Sequence, residues 1–220
     1  DRTGGGAVRL HRLLARFVTN IIPAKYMNTA RAAVEQAVLQ RLYVQNSKGD
    51  PRLTRPWEIQ LRYVTDVAIE LENEEAAALA TNFGYYLRMS GDMPGARPYY
   101  ERALAINERV VGSDHPQTAQ SLNNLGSLLQ VSGDLAGARL YLERAMAATE
   151  RVLGLDHPAT AISANNLGSL LQATGDLAGA RLYLERALTI RERVYGSDHP
   201  ETATSLNNLG YLLQDMGDLP

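Results

Sequence analysis

The 220-residue chain has no cysteine. A disulfide framework and a thiolate metal site are both excluded. A reducing compartment fits, so a cytoplasmic location is the expectation. Lysine is almost absent: of 22 basic residues only Lys25 and Lys48 are not arginine, which leans toward a GC-rich bacterial source. There is no charge surplus either. The 22 basic and 24 acidic residues leave a net charge of -2, whereas nucleic-acid binders usually carry a basic excess. No apolar run approaches the ~20 residues that span a bilayer, and Asp1 to Leu10 lacks the apolar core of a secretory signal. Neither nucleic acid nor membrane is an expected partner. An initiator methionine is missing and the end falls inside a repeated block, which points to a piece of a larger protein.

Signatures of catalysis are missing too. No Gly-x-x-x-x-Gly-Lys-Ser/Thr phosphate loop occurs, and Gly4-Gly5-Gly6 has neither a preceding strand nor a following Lys-Ser/Thr. That run reads as a flexible linker. No Gly-x-Ser-x-Gly elbow or His-Glu-x-x-His motif is present. No enzyme and no cofactor are expected.

What the chain does contain is repetition. Ser121 to Ile162 and Ser163 to Thr204 match at 31 of 42 positions. An earlier copy begins near Leu79, and a later one begins at Ser205. Near-identity at a fixed period means stacked supersecondary units, whose surface usually binds rather than catalyses.

Each unit reads as two antiparallel helices. In the second copy, Leu122, Leu125, Leu128 and Leu129 recur at helical spacing over Pro116 to Ser132. Gly133-Asp134 breaks that helix, because glycine suits the left-handed residue after a helix and aspartate suits the next cap. A second helix over Leu135 to Leu153 faces its partner through Ala138, Leu142 and Ala145, ending at Gly154. The turn Leu155-Asp156-His157-Pro158 starts the following unit. Before the repeats, Val8 to Val18 has an amphipathic, Arg-rich pattern. Helices are expected over Ala24 to Val44 and Pro56 to Leu71, the latter with Trp57, Leu61, Val64 and Ile69. A loop from Asn46 to Pro51 separates them.

Counted from Ala119, the set Leu122, Leu125, Gly126, Leu129, Ala138, Leu142 and Ala145 resembles the tetratricopeptide repeat (TPR). The Asn-Asn-Leu-Gly start and the Gly-x-Asp-His-Pro-x-Thr-Ala connector are similar to the 42-residue variety of kinesin light chains and many bacterial proteins. The first copy departs, with Thr81-Asn82-Phe83-Gly84 and with Pro98 near the start of its second helix. A proline in a first turn is tolerated, so that helix should survive. The resemblance implies an all-α, right-handed TPR superhelix (an α-solenoid) behind a short helical segment. Its repeats fall at about 77–118, 119–160 and 161–202, with a partial one at 203–220, in an array over 76–220. The order of elements over about Ala7 to Glu75 resembles the junction before the TPR sensor of bacterial STAND (NB-ARC) signal-transduction NTPases. On that resemblance, 1–20 is a remnant of a winged-helix-like domain and 21–75 is a helical linker or cap. The implied function is ligand sensing; the alternative is a constitutive adaptor or scaffold of kinesin-light-chain type.

Four groups invite chemistry. His115, His157 and His199 come one per repeat, on the order of 10 Å apart by helix diameter, too far to share a metal ion. They read as turn residues, and no metal site is expected. His11 stands alone as a packing or surface residue. Glu143-Arg144 and Glu185-Arg186 read as solvated ion pairs. The asparagines matter more. Asn82, Asn124, Asn166 and Asn208 share one helical position, and Tyr85, Ser127, Ser169 and Tyr211 follow three residues later on the same face. The resemblance places that face in a concave groove. There an amide can serve both C=O and N–H of an extended peptide, and Tyr85 and Tyr211 can act as aromatic anchors. Asn123, Asn165 and Asn207 flank the groove. An asparagine ladder between neighbouring repeats is the other role open to these residues. The expected partner is a protein or peptide in the groove, with self-association possible through the exposed Leu206, Leu209 and Leu212 of the last repeat.

Overall fold

The computed structural model describes residues 24–217. Among them are nine α-helices and no strands. Helix α1 is Ala24–Ser47, three residues longer than expected. Two short 3-10 turns, Pro51–Leu53 and Arg55–Trp57, lead into α2, Glu58–Ile69. The repeats follow as α3 (Glu74–Met89), α4 (Met93–Val110), α5 (Pro116–Val131) and α6 (Leu135–Leu153). Then come α7 (Pro158–Ala173), α8 (Leu177–Tyr195) and α9 (Pro200–Met216). The amphipathic segment Val8 to Val18, with His11 and the glycine run, lies outside the described residues.

The repeating sequence builds each unit by local chemistry. The first helix stops at a glycine with positive φ, +87° at Gly133, where a side chain would be strained. Asp134 then caps α6 by accepting from the Gly137 N–H at 2.9 Å. Asp92 and Asp176 repeat the bond at 2.9 Å. Between repeats the connector is held by its own residues. His157 Nδ1 accepts from the Ala159 N–H at 3.1 Å, Pro158 fills a first-turn position that needs no N–H, and Thr160 Oγ1 donates to the Gly154 carbonyl at 2.8 Å. His115 and His199 cap α5 and α9 in the same way. The recurring histidines are therefore helix caps, as turn residues should be.

Within a repeat the two helices approach at a glycine. A Cβ on Gly126 would lie 2.6 Å from Leu142 Cγ. The expected stripe is fully buried: Leu122, Leu125, Leu128, Leu129, Ala138, Leu142 and Ala145 all belong to one core running from Leu42 to Leu212. Burial of this kind stabilises by about 25 cal/mol per Å² of apolar surface. Pro98 sits in the second turn of α4 rather than the first, and the helix runs through it.

The first two helices cover the start of the stack. Leu42 of α1 and Leu61, Ala68 and Ile69 of α2 join the common core. Polar ties fix the join: Tyr86 Oη donates to Glu58 Oε2 at 2.9 Å, and Tyr99 Oη donates to Asp66 Oδ1 at 2.7 Å. Trp57 stays half exposed, with the Arg41 guanidinium 4.7 Å over its ring. Burial, offset in part by Arg88, pushes the Tyr100 phenol up to about 12. The Tyr99 phenol is raised further by burial and by Asp66.

Candidate binding groove

The first helices of successive repeats, α3, α5, α7 and α9, present the asparagine positions side by side. The structure joins some of these into a ladder. Asn166 Nδ2 donates to Asn123 Oδ1 at 3.3 Å, and Asn208 Nδ2 donates to Asn165 Oδ1 at 2.8 Å. Asn123 in turn donates to Ser163 Oγ at 2.7 Å and is only 7% exposed. Asn165 thus serves as the acceptor of the next repeat, and Asn207 is exposed at the end of the row.

The ladder does not consume every group. An asparagine offers two donors and an acceptor with two lone pairs, so Asn166 keeps an N–H and its carbonyl oxygen. Asn124 makes no side-chain hydrogen bond with any described residue. The reason lies one repeat earlier: its ladder partner is Thr81 where later copies have asparagine. Asn82 is different again. Its Nδ2 donates to the Ala78 carbonyl at 2.9 Å, and Asn46 of α1 donates to its backbone carbonyl at 3.0 Å. Helix α1 therefore occupies the place a preceding repeat would take, and Asn82 is engaged within the chain.

The tyrosines divide likewise. Tyr85 is half-buried against the core, with the Arg88 guanidinium 5.2 Å over its ring. It also borders a cavity of about 10 Å³ closed by Gln45, Gly49 and Asp50. Tyr211 is 65% exposed. Ser127 and Ser169 are partly exposed on the same face but do not line the cavity described next.

That cavity lies between the second and third repeats and measures about 510 Å³. Gln117, Gln120 and Asn124 of α5 and Asn166 of α7 give it an amide rim. Thr149 and Leu153 at the end of α6, with Ala159 and Ile162 of α7, supply the floor and wall. No carboxylate, guanidinium or ammonium lines it, and His157 is its one titratable group. Sequence reasoning found Asn123, Asn124 and Asn166 but missed Thr149, Leu153, Ala159 and Ile162. A signal was available: all four stand where the two near-identical blocks differ.

Among the described residues no cluster of His, Asp or Glu suits a metal ion. No helix there is long and apolar enough to cross a membrane. The cavity can bind through amides and apolar contact.

Known folds place this geometry. A chain of TPR-like repeats from Podosopora anserina, described as kinesin light chain, superposes with TM-score 0.66 at 22% identity, over 83% of this chain and 87% of that one. BtubC (BKLC) from P. vanneervenii gives TM-score 0.71 at 22% identity, over 97% and 82%. The apo form of RapI gives 0.63 at 20% identity, over 81% and 65%. At such identity these are likenesses of fold. No curated protein matches the sequence. The tetratricopeptide repeat family model matches residues 75–150, 122–193 and 165–220, about two thirds of the chain in all. Stacked two-helix units of 42-residue period and this match together make the chain a member of the tetratricopeptide repeat family.

Proposed function

We propose that the chain binds an extended segment of a partner protein along the face made by its first helices, centred on the junction of the second and third repeats. TPR modules are interaction modules, and this reading assigns the present one no catalysis. One observation supports the position most: Asn124 has no side-chain hydrogen-bond partner among the described residues, and it lies on the rim of the amide-lined cavity of about 510 Å³, beside Asn166. An amide with both donor and acceptor free can take a peptide unit of another chain. Ser127, Ser169, Asn208 and Tyr211 extend the same face. Asn82 and Tyr85 contribute less in this reading, since α1 engages Asn82 and Tyr85 lies against the core beneath Arg88.

The test uses peptides selected on phage from a random library against the 220-residue chain. The selected peptide is titrated against wild type and against a variant carrying Asn124→Ala and Asn166→Ala. Loss of a hydrogen-bond pair should weaken binding by about tenfold. Equal binding by both proteins refutes the assignment.

We further propose that the module is the ligand-sensing part of a larger signal-transduction NTPase and works in the cytoplasm. The support is the order of helix, Asp-Pro loop, Trp57-bearing turn and second helix ahead of the repeats, with both helices packed on the first of them. A ligand could then bias the switch only by preferring one of its two states. If this is right, the gene encodes a phosphate loop and winged helix ahead of Asp1. A heptad coiled coil there would favour the adaptor reading, which the kinesin-light-chain-like folds also suit.

A further inference from the structure

From the differences between near-identical repeats, we infer that the junction of the second and third repeats is a specificity pocket for one bulky, uncharged side chain of the bound segment, and that Thr149 opens it. The inference rests on the peptide-binding reading above and adds what the site selects. Equivalent positions 42 residues apart, Asn107, Thr149 and Arg191, form the floor of three successive junctions. In the first, the buried Asn107 crosses to Ser121, its Nδ2 donating to Oγ at 2.9 Å. In the third, Arg191 is 5% exposed and donates to Ser205 Oγ at 2.8 Å and to the Glu201 carbonyl at 3.1 Å. It also pairs with the Glu201 carboxylate at 3.0 Å. Tyr195 stacks on His199 at 4.5 Å beside it.

The middle junction carries a cavity. Thr149 is too short to cross; its hydroxyl turns back to the Met146 carbonyl at 3.0 Å. Ser163 Oγ is satisfied from the other side by Asn123 instead. The wall changes in step: Leu153, Ala159 and Ile162 stand where the next junction has Tyr195, Glu201 and Thr204. A charged ligand side chain entering here would lose water and find no opposite charge, which is costly. An uncharged aromatic or long aliphatic side chain would bury its apolar surface on Leu153 and Ile162, while the amide rim holds the flanking peptide bonds. Thr81, where later copies have asparagine, and Thr149, where the neighbouring copies have Asn107 and Arg191, thus free the rim and the floor of the same cavity.

The experiment uses the phage-selected peptide and three variants of the full chain, read by fluorescence anisotropy with circular dichroism as the folding control. Thr149→Arg closes the floor as Arg191 does. Ile162→Thr removes the wall at a residue 46% exposed, where folding is not at risk. Asn124→Ala tests the rim. Expected is a weakening of about tenfold to a hundredfold for Thr149→Arg and about tenfold for Ile162→Thr, the worth of one buried apolar side chain. Replacing the bulky residue of the peptide by alanine should weaken binding to wild type and leave binding to Thr149→Arg unchanged. If Asn124→Ala weakens binding while Thr149→Arg and Ile162→Thr bind within about twofold of wild type, the pocket is wrong and the peptide reading stands. If Thr149→Arg unfolds, Ile162→Thr decides alone. If no peptide enriches, or all variants bind alike, both fall.

Discussion

Four glycines at one repeat position, Gly84, Gly126, Gly168 and Gly210, allow a sharp test of how the repeats pack. All four lie inside first helices, where alanine is intrinsically favoured over glycine by about 1 kcal/mol. What a methyl group would meet differs. At Gly210 nothing lies within 4 Å, so Gly210→Ala should stabilise α9 by about 0.5–1 kcal/mol. At Gly126 the new Cβ would lie 2.6 Å from Leu142 Cγ, 2.7 Å from its Cδ2 and 3.4 Å from the Ala138 carbonyl. The nearest atom is a branch carbon of a fully buried side chain, not a flexible tip, so the two helices must separate. Overpacking of this kind costs about 1–3 kcal/mol. Set against the helix preference, Gly126→Ala should destabilise by about 2 kcal/mol at most. Gly168→Ala, facing Leu184 at 2.8 Å, should behave alike. Repeat arrays can unfold in parts, so two assays are needed. Urea midpoints by circular dichroism report the inner repeats, and amide exchange of α9 reports Gly210. If Gly126→Ala raises the midpoint as Gly210→Ala slows exchange, close glycine-mediated approach is not what joins these helices.

Other consequences follow from the connectors, the tyrosines and the surface charges. His157→Ala should lower stability by about 1 kcal/mol through loss of the α7 cap, and His157→Ser should restore most of it; equal midpoints would remove the cap from the account. Burial raises the Tyr100 phenol to about 12, above its value in an unfolded chain. The folded state thus holds protons that the unfolded state has lost. Stability should therefore be intact below about pH 10 and fall as the pH rises from there toward 12. Tyrosinate absorbance and circular dichroism would show it, and Tyr100→Phe should blunt the fall. The ion pairs Arg139–Glu143 and Arg181–Glu185 are about half exposed, so Arg139→Ala should change the midpoint by less than about 1 kcal/mol; a larger loss would mean the pair does more than sit in water.

Much of the array could be read directly from residues. Gly133-Asp134 and the Gly-x-Asp-His-Pro-x-Thr connector are local devices, and local devices act through near neighbours in sequence. That is why Leu135–Leu153 agrees at both ends with expectation. Long-range register was not legible. Nothing in one helix says that Asn166 meets Asn123 rather than Asn124, because that depends on how far one repeat is rotated on the next. The engagement of Asn82 by Asn46 was equally hidden, since α1 carries no repeat motif to fix its docking. The pocket fell between these cases. Its residues were visible as mismatches between copies, but only the packing shows that Thr149, Leu153 and Ile162 face one space.

The placing of those mismatches follows from where the stack gets its pitch. Ion pairs join consecutive second helices, Arg144 with Glu108 and Arg186 with Glu150. A second series ties helix ends to the turns of the preceding unit: Arg109 with Glu72, Arg151 with Asp114, and Arg193 with Asp156. Both series recur at the repeat period, and neither touches the cavity. Each pair is worth little alone, but in the second and third repeats the core beneath them is largely shared: Leu125, Leu128, Leu129, Ala138, Leu142 and Ala145 return as Leu167, Leu170, Leu171, Ala180, Leu184 and Ala187. Rotation between these two units thus rests on surfaces that they share. The junction floor and wall are left free to differ, because a change from Arg191 to Thr149 alters what fills the gap and not how wide the gap is. A stack built this way can change what it selects at one junction without moving the next.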